Sequence, residues 1–252
     1  MFSRLLSILF ILTLSIPAWA GPTADQRLHE IRITGFLLCS NLLVHFNNHD
    51  AAATFDPEAK EAYRQNLTHL QKMLEDTPEN MEIANSLQRI QSAIEQLEQQ
   101  PKDAHEQYSR WINPILREHG TFEKIVASAY EKAPATDPAT ANLNQQSLDI
   151  SRMLLLYETQ AFIGLGIFSI DFHEDVFQEI DQRIDARHAT LLDQLPASKD
   201  ELEKIRTDYN FIRPRLLHPD QKLVPRSAAI YLGRSVTRLN SLTDTRIIAA
   251  QQ

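Results

Sequence analysis

Cysteine occurs once, at Cys39, so no intrachain disulfide can form and the core must hold the fold together. Cys39 lies within an apolar run, which points to a buried, inert thiol. Glycine occurs six times, too few to supply phosphate-cradling loops. No G-x-G-x-x-G, P-loop, G-x-S-x-G, H-E-x-x-H or C-x-x-C-H spacing is present. The chain therefore reads as non-catalytic, and no cofactor is implied. Basic charge is short as well: 25 Lys and Arg face 33 Asp and Glu, for a formal charge of −8. That balance excludes general nucleic-acid binding, which needs a basic footprint.

What is abundant is Leu, Ala, Gln and Glu, a composition that favours helix over strand. The expected fold is all-α, an antiparallel helical bundle. The first twenty residues stand apart from it. Arg4 precedes an apolar run from Leu5 to Ile16, and Ala18-Trp19-Ala20 gives the small-x-small pattern of a signal-peptidase site. The run is shorter than the roughly 20 residues that span a bilayer. Residues 1–20 are read as a signal peptide cleaved before Gly21, leaving no stable membrane anchor. A periplasmic location is expected, with secretion as the alternative.

Two stretches are apolar nearly all round: 33–46 within an expected helix Ala24–Asn47, and Ile150–Phe172. Such helices belong in the centre of a bundle. The second is expected to run as one helix over Leu143–Ile170, with Gly164 and Gly166 as points of close approach or a break. Around these lie amphipathic helices. Tyr63, Leu67, Leu70 and Leu74 step by 4, 3 and 4, and Ile83, Leu87, Ile90, Ile94 and Leu97 continue the alternation after a Thr77-Pro78 start signal. Tyr108, Trp111, Ile112, Ile115 and Leu116 form another face, with Pro114 expected to kink or restart the helix and Gly120-Thr121 to break it. Phe177 to Leu195 and Leu202 to Leu216 repeat the hairpin pattern, the second started by a capping box at Ser198-Lys199-Asp200-Glu201. A last helix spans Arg226–Ile247.

The order of elements thus recurs: apolar helix, amphipathic hairpin, Pro-broken segment, final helix. It supports two tandem modules, 21–133 and 142–252, joined by a Pro-rich linker at 134–141. One irregular bundle without a repeat accounts for it equally.

Three constellations could carry function. His45 and His49 share a helix face, and His173 and Glu174 sit at the equivalent end of the other apolar helix. Were those ends to meet, they would form a nitrogen–oxygen site for zinc or a similar ion; otherwise they are hydrated helix ends. Arg152 and Glu158 are six apart, too far round a helix to pair with each other. Each is expected to find an opposite charge on a neighbouring helix, with a ligand site at Arg152 as the alternative. From Ile205 to Arg246 the chain carries eight basic and three acidic residues. Arg226, Arg234 and Arg238 share one broad face there, with Tyr231 beside them, an arrangement suited to carboxylates or phosphates. Pairing with acidic hairpins of the same molecule is the competing expectation.

The segment Asn142–Glu158, NLNQQSLDISRMLLLYE, resembles the Arg-containing helix of the extracytoplasmic sensor domains of type IV pilus chemoreceptors. The resemblance covers one helix, lacks that helix's usual Gly-Arg-x-Arg core, and transfers no residue role. It implies an extracytoplasmic helical fold that senses a ligand. The leading expectation is an exported, soluble, non-catalytic bundle that binds a partner protein or a small anionic ligand. A metal-binding protein or enzyme using the His/Asp/Glu ends is one alternative. A structural homodimer joined along the hairpin seams is the other.

Overall fold

A computed structural model describes residues 23–47, 54–75, 81–134, 137–162, 164–218 and 222–250. The expected signal peptide, His49 and the Thr77-Pro78 start signal lie outside them. The described residues form eight α-helices and no strand: α1 Ala24–Phe46, α2 Pro57–Glu75, α3 Met81–Glu98, α4 Tyr108–Lys132, α5 Pro138–Thr159, α6 Val176–Gln194, α7 Lys199–Leu217 and α8 Pro225–Ala250. None of these helices is long and apolar enough to cross a membrane.

The amphipathic seams do what their spacing dictates. Tyr63, Leu70 and Leu74 of α2 are buried, as are Ile83, Leu87, Ile90, Ile94 and Leu97 of α3. The matching seams of α6 (Phe177, Ile180, Ile184, Leu191) and α7 (Leu202, Ile205, Tyr209, Ile212, Leu216) are buried too. α1 packs on α2 and α4, and α3 closes the ring through α4 and α2. α5, α6, α7 and α8 form a second ring with the same order of contacts, and α1 joins the two by packing on α5 and α8. Helix lengths run 23, 19, 18 and 25 residues in the first ring and 22, 19, 19 and 26 in the second. The apolar interior is one continuous cluster that includes residues of all eight helices.

α1 and α5 are the central pair and are buried on nearly every face. They run in the same direction. Asn144 Nδ2 donates to Gln26 Oε1 at 3.1 Å near their N-terminal ends. Further along, Arg32 and Arg152 reach the same carboxylate of α4.

Several boundaries differ from the sequence expectation. α5 ends at Thr159, so Ile150–Phe172 is not one helix. Gly164, five residues past the end of α5, has φ +79°, a left-handed conformation that a continuing helix could not hold. The chain then crosses α4. Asn113 there accepts from the Gly166 N–H at 2.7 Å and donates to the Gly164 carbonyl at 2.9 Å. Gly120 is the other half of that crossing, since a Cβ on it would stand 2.7 Å from the Phe168 carbonyl oxygen. It is a point of close approach inside a continuous α4, which runs through both Pro114 and Gly120.

The linker expected at 134–141 is shortened, because Pro138 already opens α5. Asp137 caps it by accepting from the Ala139 and Thr140 N–H groups at 3.1 and 3.2 Å. The capping box at Ser198 does not form. Ser198 makes no side-chain cap bond, and Glu201 pairs with Lys204 and Arg238 instead.

Leu87 is 3% exposed at the middle of the α3 seam. Leu87→Ala should cost about 2–5 kcal/mol, and Leu87→Asp more, because it also buries a charge. Thermal unfolding of the two variants checks this. Unchanged melting of both would put Leu87 outside the core.

Candidate functional site

Where the two rings of helices meet, six charged side chains from four helices form a continuous network. Arg32 of α1 clasps Glu123 of α4 through Nη2 at 2.6 Å and Nε at 3.2 Å. Arg152 of α5 reaches the same Glu123 carboxylate through Nη2 at 3.4 Å. Its Nη1 lies 3.9 Å from Asp149 Oδ1, one turn back on its own helix. Asp149 then takes two arginines of α6: Arg187 at 2.7 Å on Oδ2 and Arg183 at 3.3 Å on Oδ1. Aromatic faces support the inner cations. Arg32 stands over the Tyr130 ring at 5.6 Å and Arg152 over Phe36 at 5.9 Å.

The network is graded by depth. The side chains of Asp149 and Glu123 are 0% and 5% exposed, and that of Arg32 is 9% exposed. Arg187, Arg152 and Arg183 are 17%, 24% and 43% exposed. The carboxylates therefore lie inside and the guanidinium groups lie outward, so solvent meets mainly positive charge. Pairing is also uneven. The Arg152 Nε is buried and has no hydrogen-bond partner. Burial pulls the Arg152 pKa below its usual value, opposed mainly by Glu123.

Two fully buried histidines flank the pairs. His29 lies one turn before Arg32, and its pKa is lowered to about 3 by burial and by the Arg32 charge. His119 lies one turn before Glu123, lowered to about 4 by burial against the opposing pull of Glu123. Both are neutral at physiological pH and add no charge.

Of the residues singled out from sequence, only Arg152 belongs to this network. Glu158 does not meet the opposite charge expected for it. It is 1% exposed, and neither carboxylate oxygen has a hydrogen-bond partner. Burial raises its pKa well above the ordinary 4.5. Burial without a partner favours its neutral form over the carboxylate.

The arginines of α8 are paired within the molecule. Arg226 bonds Glu58 at 2.7 Å and lies 3.2 Å from Asp56. Arg234 reaches Asp208 at 3.3 Å and also covers the Tyr231 ring at 5.3 Å. Arg238 pairs with Glu201. Tyr231 itself stacks on Phe211, with ring centroids 4.4 Å apart.

The described members of the two histidine ends have separate partners. His45 is buried among Phe46, Phe55 and Tyr63, with Nδ1 on the Asp56 carbonyl at 2.8 Å. His173 pairs with Glu179 at 3.4 Å, and Glu174 is exposed. Among the described residues no group of three or more His, Cys, Asp or Glu could hold a metal ion. An irregular segment after Thr159, not the expected continuing helix, leads to His173 and Glu174.

Arg32, Glu123, Asp149, Arg183 and Arg187 were not singled out from sequence. One signal for two of the network's arginines is present. Gln26-x-Leu28-x-x-x-Arg32 and Gln146-x-Leu148-x-x-x-Arg152 share three identities at an offset of 120 residues. All six of those residues except Arg152 are buried. Comparison with protein-family models, curated protein sequences and solved structures finds no match.

Two outcomes follow from the graded burial. Asp149→Ala leaves charges uncompensated in the interior and should cost about 3–5 kcal/mol, whereas Arg183→Ala removes an exposed pair and should cost at most about 1 kcal/mol. Urea unfolding of both variants measures the difference, and equal losses would contradict the burial order. Glu158 behaves in the opposite sense to a paired carboxylate. Its folded pKa is raised, so its stabilising share is present at acid pH and is lost as pH rises above 4.5. Glu158→Gln should melt at a higher temperature than the parent at about pH 8 and at the same temperature at about pH 4. A lower melting point at both pH values would show that Glu158 is paired and ionised.

Proposed function

We propose that the protein is an exported, non-catalytic receptor for a small anion, bound by Arg152, Arg183 and Arg187 where α5 and α6 meet the first ring of helices. The observation that carries this reading is the depth order of the network: carboxylates inside, guanidiniums outward, and Arg152 incompletely paired. Planar guanidinium groups with free N–H bonds suit oxyanions and carboxylates. A binding role fits the site better than catalysis, because the histidines one turn from Arg32 and Glu123 are fully buried and neutral. Neither can exchange a proton with a ligand that enters from solvent. Export rests on the pattern of residues 1–20.

A partner protein on α7 and α8 is the second reading. It is favoured by Phe211, which is 63% exposed although it stacks on Tyr231 beside Arg234. An exposed aromatic next to a cation is a common anchor at protein interfaces.

Isothermal titration with a panel of small inorganic and carboxylate anions, at constant ionic strength, separates the two. The anion reading expects saturable binding that weakens at least about tenfold in Arg183→Gln, a loss of about 1.4 kcal/mol. Absence of binding by every anion, together with loss of partner crosslinking in Phe211→Ala, would replace it with the second reading.

A further inference from the structure

We infer that the anion is a dianion with closely spaced oxygens, of the sulfate or phosphate kind, seated between Arg152 and Arg183. This rests on the anion-receptor reading above and narrows it. Four guanidinium groups, those of Arg32, Arg152, Arg183 and Arg187, face two carboxylates, those of Glu123 and Asp149. Two positive charges are left without a counterpart in a partly buried seam, where charge is screened less than at an open surface.

The deficit is localised. Arg32 makes three contacts with Glu123 at 2.6–3.2 Å, and Arg187 makes one with Asp149 at 2.7 Å. Those two are well matched. Arg152 has a single long hydrogen bond, 3.4 Å, and a buried Nε without a partner. Arg183 has a single one of 3.3 Å. The two poorly matched arginines are also the two most exposed members of the network.

They are close to each other as well. Arg152 Nη1 and Arg183 Nη2 both approach Asp149 Oδ1, at 3.9 and 3.3 Å. One small ion can therefore touch both guanidinium groups from the solvent side. An ion of charge −2 would neutralise the excess of two, and a monoanion would leave one positive charge over. A tetrahedral oxyanion has more than two oxygens, so it can offer a pair to one guanidinium group and still reach the other.

The test is titration calorimetry of the full chain with sodium sulfate and, separately, sodium formate at matched ionic strength, on the parent, Arg183→Gln and Arg152→Gln. Sulfate should bind at least tenfold more tightly than formate. Arg183→Gln, an exposed position whose change should leave the fold intact, should abolish most of that preference. Arg152→Gln should do the same where circular dichroism shows it folded. If formate binds as tightly as sulfate and Arg183→Gln weakens both, the dianion inference falls while the anion-receptor reading stands. If neither ion binds, the dianion inference falls, and the anion-receptor reading is decided by the wider anion panel. Sulfate binding that is unchanged in Arg183→Gln places the ion elsewhere and overturns the site.

Discussion

Glu123 is the carboxylate on which the meeting of the two helical rings depends. Arg32 from one central helix and Arg152 from the other both bind it, although Glu123 itself belongs to a third helix. A buried ion pair recovers its desolvation cost only when its geometry is good and its remaining bonds are made. Arg32 meets that condition with a two-nitrogen clasp. Arg152 does not, because the carboxylate is already engaged. One carboxylate shared by two arginines thus fixes the parallel register of α1 and α5 and leaves the second arginine with bonding capacity unspent. The proposed binding chemistry comes from that imbalance.

The rest of the central seam is polar in a way that also fixes register. Asn144 bonds Gln26, Ser147 bonds Asn240 of α8, and Gln146 donates to the Ile184 carbonyl of α6. Ser151 returns its hydroxyl to the Ser147 carbonyl within α5. The three bonds between helices would penalise a sliding of the helices, because slippage would leave their groups buried without a partner, whereas the Ser151 bond moves with its own helix. The apolar seams of the outer helices carry much of the burial and discriminate less between registers. Polar pairs at the centre and apolar seams at the periphery therefore divide the work of specificity and stability.

The outer helices are legible in the sequence because period and burial coincide there: the 3- and 4-residue steps of Ile83 to Leu97 and Leu202 to Leu216 are the buried residues themselves. The end of α5 is not legible by the same logic. Phe162, Leu165, Ile167 and Ile170 are apolar because they pack against the core from an irregular segment, and composition does not distinguish that from a helix. Gly120 looks like a breaker in sequence, and only the crossing chain at Phe168 shows it to be a close approach. The charge network is hidden for another reason. Arg32 and Glu123 are 91 residues apart, and Arg187 and Asp149 are 38 apart. A row such as Arg226, Arg234 and Arg238 is conspicuous in one dimension, yet its partners Asp56, Glu58, Asp208 and Glu201 come from other helices. Two traces of the site are visible in the sequence: Arg152 itself, a charge on a nearly apolar helix, and the pair of Gln-x-Leu-x-x-x-Arg motifs.

The proposed anion seat is formed by the outward guanidinium groups of this network. Anomalous diffraction from crystals grown in selenate addresses it most directly. The expected result is a selenium peak within hydrogen-bond distance of Arg152 and Arg183, beside Asp149. Selenium peaks confined to other basic residues, with Arg152 and Arg183 contacting only Glu123 and Asp149, would contradict it.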